Sequence, residues 1–137
     1  MKKNYTLLSL LFLLPLLAQS QHALDKEKFI TYYEKNEFNR TPRYNETIEY
    51  SRLLADNSSQ VHYTTIGMSP HGIEIQLVIV DKAGYTDVTT VRKSGSVLDL
   101  AEASIHAGEP DGKAAGLLLI RDIALLDILL GLLDNVT

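Results

Sequence analysis

The sequence predicts an α/β fold in which helices pack on a sheet. A helix is predicted over residues 41–55, a β-hairpin over 61–80, an extended segment over 97–105 and a long helix over 113–133. Helices and strands that follow one another in this order are typical of layered α/β architectures. The chain has 137 residues, which is enough for one such domain.

The first helix is predicted from its end signals. Thr41 is a capping residue type, and Pro42 suits the first helical position. The turn-forming run Asp56–Ser59 ends the helix after about Ala55. The preceding residues 21–40 are polar and aromatic, and we expect them to form a loosely packed N-terminal extension.

The hairpin is predicted from an alternating apolar pattern. Its second strand, residues 73–80, places apolar side chains on one face: Ile73, Ile75, Leu77 and Ile79. Residues 61–67 form the first strand, and the turn formers at 69–72 connect the two. Residues 81–96 are a polar connection, with a short strand expected near Val88–Val91.

The last helix is predicted over residues 113–133, which are rich in Leu and Ala. A helix that is apolar nearly all round is buried. Its charges at Arg121, Asp122 and Asp127 are costly in lipid, so we expect protein to cover it. An α/β unit continues with a strand after such a helix, and Asn135–Thr137 can supply its first residues.

The N-terminus has the order of a secretory signal. Lys2 and Lys3 precede an apolar run over 6–18, and Ala18-Gln19-Ser20 is suitable for cleavage before Gln21. The run is short for a membrane span of about 20 residues. We therefore predict a signal peptide over 1–20, an exported periplasmic or extracellular protein, and no stable membrane span after cleavage. An uncleaved membrane anchor is the alternative.

Composition excludes two classes of function. The net charge is −4 and the basic residues are scattered, so we expect no nucleic-acid partner, because phosphate binding needs a basic patch. There is no cysteine, which excludes disulfides, cysteine metal ligands and a thiol nucleophile.

One stretch has the residue types of a metal site. His106 and Glu109 are three residues apart after an extended segment, where open α/β sheets place their sites. Imidazole nitrogen and carboxylate oxygen are both zinc ligands, and Gly108 lets the backbone turn between them. The spacing is weak evidence by itself, since His71 and Glu74 repeat it across a predicted turn.

The flanking residues make the assignment more specific. Residues 104–117 (SIHAGEPDGKAAGL) resemble the first zinc-binding motif of the metallocarboxypeptidase family, carboxypeptidase A-like and of the bacterial secreted type. Residues 41–55 resemble the first helix of this family, and 66–72 resemble its G-x-S-x-x-G turn. The resemblance covers residues 41–137.

The resemblance implies a fold and a chemistry. The fold would be a mixed-sheet, three-layer carboxypeptidase-like (phosphorylase/hydrolase-like) domain over 41–137. His106 would be the first zinc ligand and Glu109 the second, often bidentate, of a His₂Glu site with an open water position. The protein would be a zinc-dependent peptidase that hydrolyses peptide bonds near a free C-terminus of a peptide or protein substrate.

The chain departs from the family pattern in four respects. The third ligand of the family is a histidine downstream of this motif, whereas His22, His62 and His71 all lie upstream. The general base and the substrate-binding residues also come later, so we expect the base beyond residue 137. Gly108 stands where animal digestive members have an arginine. We therefore expect a truncated part of such an enzyme; the alternative is a non-catalytic exported binding domain of the same ancestry.

Overall fold

The computed structural model describes residues 27–106, 108–126 and 128–137. The chain divides into two compact units, Met1–Ile30 and Thr31–Thr137. The predicted signal peptide and residues 21–26 lie outside the described part. The elements of the second unit are, in chain order, α1 (Tyr32–Lys35), α2 (Tyr44–Asn57), β1 (Val61–Met68), β2 (Glu74–Val80), α3 (Val88–Ser94), α4 (Asp111–Ala124) and a 3₁₀ helix (Leu130–Leu133).

These elements form a small mixed α/β domain, which confirms the predicted α/β fold class. The sheet of the described part has two antiparallel strands, β1 and β2. The finer prediction, a three-layer carboxypeptidase-like domain, stays a prediction.

Helix α1 begins with a reciprocal cap. The Glu34 backbone N–H donates to Thr31 Oγ1 at 3.2 Å, and the Thr31 backbone N–H donates to Glu34 Oε2 at 2.7 Å. Each side chain thereby satisfies a backbone donor at the start of the helix. Arg121 Nη1 of α4 also donates to Glu34 Oε2, at 2.5 Å. This part of the predicted extension is therefore attached to the domain.

Helix α2 begins later than predicted. Its first residue is Tyr44, and Glu46 Oε2 accepts from the Arg43 backbone N–H at 3.1 Å, so the prediction that Thr41 caps the helix is wrong. Carboxylates at the third helical position satisfy a free N–H in this way. The helix packs against β1 and α4. Leu54 is its most deeply buried side chain, with no exposed surface.

The predicted hairpin is confirmed. β1 pairs with β2 from Val61↔Val80 to Met68↔Glu74, with one bulge between Thr65 and Gly67. The turn closes through Ser69, whose N–H donates to Ile73 O at 2.8 Å. Gly72 has φ 72°, a left-handed conformation that glycine adopts without strain.

The short strand expected near Val88–Val91 is wrong, because these residues begin helix α3. Asp87 Oδ1 accepts from the Thr90 N–H at 2.9 Å and caps the helix. Gly95 ends it with φ 83°. The capping residues at both ends favour a helix, and their effect is larger than the preference of the β-branched residues for a strand.

The third extended segment pairs with the C-terminal residues. The Val97 N–H donates to Asn135 O at 2.8 Å, the Thr137 N–H to Val97 O at 2.9 Å, and the Asp99 N–H to Thr137 O at 2.9 Å. Val97 and Val136 form a parallel bridge. The residues after the last helix therefore form an isolated bridge, and the strand expected there stays a prediction.

Helix α4 is shorter than the predicted helix over 113–133. It ends at Ala124, where the Leu125 and Leu126 N–H groups both turn back to Arg121 O. The expectation that it is buried all round is also wrong. Its buried side chains are Ala114, Leu117, Ile123 and Ala124, whereas Leu119 is 46% exposed.

Candidate metal centre

The predicted metal-ligand pair lies between the extended segment and α4. The Glu109 N–H donates to His106 O at 3.1 Å, which closes a tight turn between the two residues. Pro110 follows, and α4 begins at Asp111. The turn holds the two ends of the motif close, so that both side chains leave the chain from the same bend.

The two side chains of the pair face each other. His106 Nδ1 lies 2.9 Å from Glu109 Oε2, and the side chains are 76% and 67% exposed. Ligand atoms about 2.1 Å from a tetrahedral zinc ion lie about 3.4 Å apart, so a small side-chain rotation would let both atoms reach one ion. The same geometry also suits a direct hydrogen bond.

The two donor atoms of the pair are of types that bind zinc. One imidazole nitrogen and one carboxylate oxygen are two of the three protein ligands of a His₂Glu site. Across residues 27–106, 108–126 and 128–137, no group of three or more His, Asp or Glu side chains could hold a metal ion. The described pair is therefore an incomplete ligand set.

The other copy of the spacing has a different setting. His71 lies in the hairpin turn and Glu74 is the first residue of β2, and both are exposed. Glu74 Oε2 accepts from Gln76 Nε2 at 3.3 Å. The preference for His106 and Glu109 over this copy stays a prediction.

The sequence does not predict two features near the pair, a backbone conformation and a side-chain contact. Ser104 has φ 59°, a left-handed backbone two residues before His106. Lys113 of α4 donates through Nζ to Pro42 O, so the first turn of α4 is attached to the segment before α2. No local sequence signal predicts either feature, because each involves parts of the chain that are distant in sequence.

A second polar cluster joins α1, α2 and α4. Arg121 Nη1 binds Glu34 at 2.5 Å, and Arg121 Nη2 binds Asp122 at 2.8 Å. Burial opposes ionisation of Glu34, but hydrogen bonds from Thr31 and Arg121 hold its pKa below the usual value. Burial raises the pKa of Tyr50 to about 12. Because the Arg121 side chain is only 11% exposed, we assign this cluster a structural role and not a ligand-binding role.

Comparison with known proteins gives no assignment. The chain matches no protein-family model, no curated protein and no solved structure. In the part of the chain that the structure describes, every helix is too short or too polar to cross a membrane.

Proposed function

We propose that this chain carries the first two zinc ligands, His106 and Glu109, of an exported metallocarboxypeptidase-like peptidase. The observation that supports the proposal is the 2.9 Å approach of His106 Nδ1 to Glu109 Oε2. The pair lies after an extended segment and before a helix, which is the context of the family motif that the sequence resembles. The resemblance and the geometry both support the proposal.

Each residue has a stated role in this proposal. His106 binds through Nδ1, the ring nitrogen that already faces the carboxylate, and Glu109 binds through one or both oxygens. Zinc bound there would polarise a peptide carbonyl and activate a water molecule. The proposal requires a further histidine ligand and a general base from outside the described residues. The substrate is a peptide or protein with a free C-terminus.

The test begins with zinc binding to the 137-residue chain. We expect weak, saturable Zn²⁺ binding in isothermal titration calorimetry, because the ligand set is incomplete, and in the wild type we also expect Zn²⁺ to shift the His106 ring signals in NMR spectra. The double variant His106→Ala, Glu109→Ala should lose this saturable response. His71→Ala is the matched control, because His71 precedes Glu74 at the same spacing. A double variant that binds like the wild type, or a control that loses as much, contradicts the proposal.

A second experiment separates a peptidase from a non-catalytic binding domain. The reading frame downstream of codon 137 is sequenced, and any longer product is assayed on peptides with free C-termini. Zinc-dependent release of C-terminal residues that is abolished by His106→Ala supports the peptidase. A longer product that binds zinc and peptide without turnover supports the binding domain.

A further inference from the structure

The segment before α2 is attached to α4 at two points. Near the start of this segment, Arg121 Nη1 of α4 donates to Glu34 Oε2 at 2.5 Å. At its end, Lys113 Nζ of α4 donates to Pro42 O. The two α4 residues are eight positions apart, which corresponds to about two helical turns. We call residues 31–42 the strap, because they span these turns of α4 between the two attachments.

Little apolar surface of the strap is buried between the two attachments. Each of the four side chains of α1 is at least partly exposed, and Phe38 is 60% exposed. Phe38 packs edge to face on Tyr33, which belongs to the strap itself. Segments with few buried apolar contacts open locally at a lower free energy than the core of a domain. The polar contacts with α4 therefore contribute most to holding the strap closed.

The backbone of the strap favours opening. Glu37 has φ 53° and Phe38 has φ 60°, both in the left-handed region that residues other than glycine rarely adopt. This conformation is unfavourable in L-residues because Cβ approaches the following carbonyl oxygen. An open strap would let both residues return to negative φ. The closed state is therefore a balance between backbone strain and the contacts with α4.

The attachment near the start of the strap depends on one carboxylate. Glu34 Oε2 accepts from the Thr31 N–H at 2.7 Å and from Thr31 Oγ1 at 2.9 Å, in addition to Arg121. Burial opposes ionisation of Glu34, but the hydrogen bonds from Thr31 and Arg121 hold its pKa below the usual 4.5. The other titratable groups around Arg121 are Asp122 of α4 and Tyr50 of α2. Neither belongs to the strap, so Glu34 is the titratable group that joins the strap to α4.

We propose that the strap is an acid-sensitive device, which protonation of Glu34 releases from α4 while the rest of the domain stays folded. In the open strap the carboxyl group has its usual pKa of 4.5, so the open state takes up a proton more readily than the closed state. The stabilisation of the closed strap is therefore present above pH 4.5 and is lost as the pH falls through the lowered pKa. The described hydrogen bonds between the strap and α4 involve neither His106 nor Glu109, so this inference does not depend on the proposed zinc site.

The test is amide hydrogen exchange of the 137-residue chain, followed by NMR from pH 6 to pH 3.5 and expressed as protection factors. The Lys35 N–H donates to Thr31 O at 3.0 Å, and the Phe38 N–H donates to Tyr33 O at 2.9 Å. A helix as short as α1 does not persist alone in water, so these two amides exchange once the strap leaves α4. The amides of α2 report on the core. We expect the strap amides to be less protected than those of α2 at pH 6, and to lose about three- to tenfold more protection by pH 3.5.

Two variants identify the group that responds to acid. Glu34→Gln removes the charge and keeps the size of the side chain, so its strap amides should be about tenfold less protected than in the wild type at pH 6. They should then show no further loss relative to α2 at pH 3.5. Glu37→Gln is the matched control, because Glu37 is an exposed carboxylate in the same strap. This control should keep the pH dependence of the wild type.

Three results would overturn the inference. If the protection of the strap amides follows that of α2 at every pH, the strap opens only when the whole domain unfolds. If Glu34→Gln keeps the loss of protection between pH 6 and pH 3.5, another group is responsible. If Glu37→Gln removes that loss, the responding group is Glu37. Should Glu34→Gln not fold, the pH series of the wild type and of Glu37→Gln decides. None of these results bears on zinc binding, which the His106 and Glu109 variants test separately.

Discussion

Two regions of the domain differ sharply in how they are held. Where α2 meets β1, Leu54 has no exposed surface and Val61 is 6% exposed. In the segment that leads to the metal-ligand pair, Leu100 is 70% exposed and Ile105 is 69% exposed. The first region is held by burial of apolar surface. The second is held by three backbone hydrogen bonds, a tight turn and the packing of α4.

This difference places the apolar core of the domain and the two proposed zinc ligands in separate parts of the chain. Apolar burial contributes about 25 cal/mol per Å², so truncating a buried side chain weakens folding strongly. Exposed side chains contribute little to folding but remain free to bind an ion. Variants in the two regions should therefore affect different measurements.

The largest expected effect is at Leu54. Leu54→Ala leaves a cavity between α2 and β1 and should lower the free energy of unfolding by about 3 kcal/mol. Leu100→Ala makes the same chemical change at an exposed position and should alter it by less than about 0.5 kcal/mol. Urea denaturation measures both. Equal losses in the two variants would mean that the contrast in burial does not exist in solution.

The ion pair between α4 and α1 should have the next largest effect. Arg121→Ala leaves the Glu34 carboxylate without its cation and should destabilise the fold by about 2 kcal/mol. Glu34→Gln and the double variant complete a cycle that isolates the coupling between the two side chains. A coupling energy near zero would show that the attachment of α1 to α4 contributes nothing.

The contact between Asp81, directly after β2, and Thr137 should depend on pH. Asp81 Oδ2 accepts from Thr137 Oγ1 at 2.5 Å, and Asp81 Oδ1 accepts from the Ala83 and Tyr85 N–H groups at 2.8 and 2.9 Å. Burial opposes ionisation, but these hydrogen bonds hold the pKa of Asp81 below its usual 3.8. The folded state therefore binds a proton less readily than the unfolded state.

This pKa difference fixes the sign of the pH effect. The stabilisation from Asp81 is fully present well above pH 3.8 and is lost as the pH falls through the lowered pKa. Asp81→Asn should cost about 1 kcal/mol at pH 7, and its deficit relative to the wild type should shrink by pH 3. Asp99→Asn is the control. A deficit that does not change between pH 7 and 3 would contradict the assignment.

The sequence predicts elements well where one local pattern decides them. The alternation of Ile73 and Ile75 with polar neighbours predicts the second strand of the hairpin, although these two side chains are 50% and 45% exposed in the structure. Prediction from the sequence fails where helix signals and strand signals compete in one segment. Val88–Val91 has β-branched composition, but Asp87 and Gly95 supply both ends of a helix.

Distant contacts explain the remaining errors. The long apolar run after Lys113 has no stop signal near Ala124, yet α4 ends there. At the proposed metal centre, the sequence predicts His106 and Glu109 as ligands because their chemistry and spacing are both local. It does not reveal the bend at Ser104, which depends on contact with the first turn of α4. Local sequence thus predicts the chemical groups of the pair better than the backbone conformation around them.

The smallest expected effect on stability is at the metal-ligand pair itself. Both side chains are mostly exposed, so their 2.9 Å contact is screened by water. His106→Ala and Glu109→Ala should each change the free energy of unfolding by less than about 0.5 kcal/mol without metal. Urea denaturation with and without Zn²⁺ checks this, and zinc should stabilise the wild type more than either variant. A large loss without metal would instead show that the pair holds the fold together, because an exposed contact that only binds an ion has little to contribute in its absence.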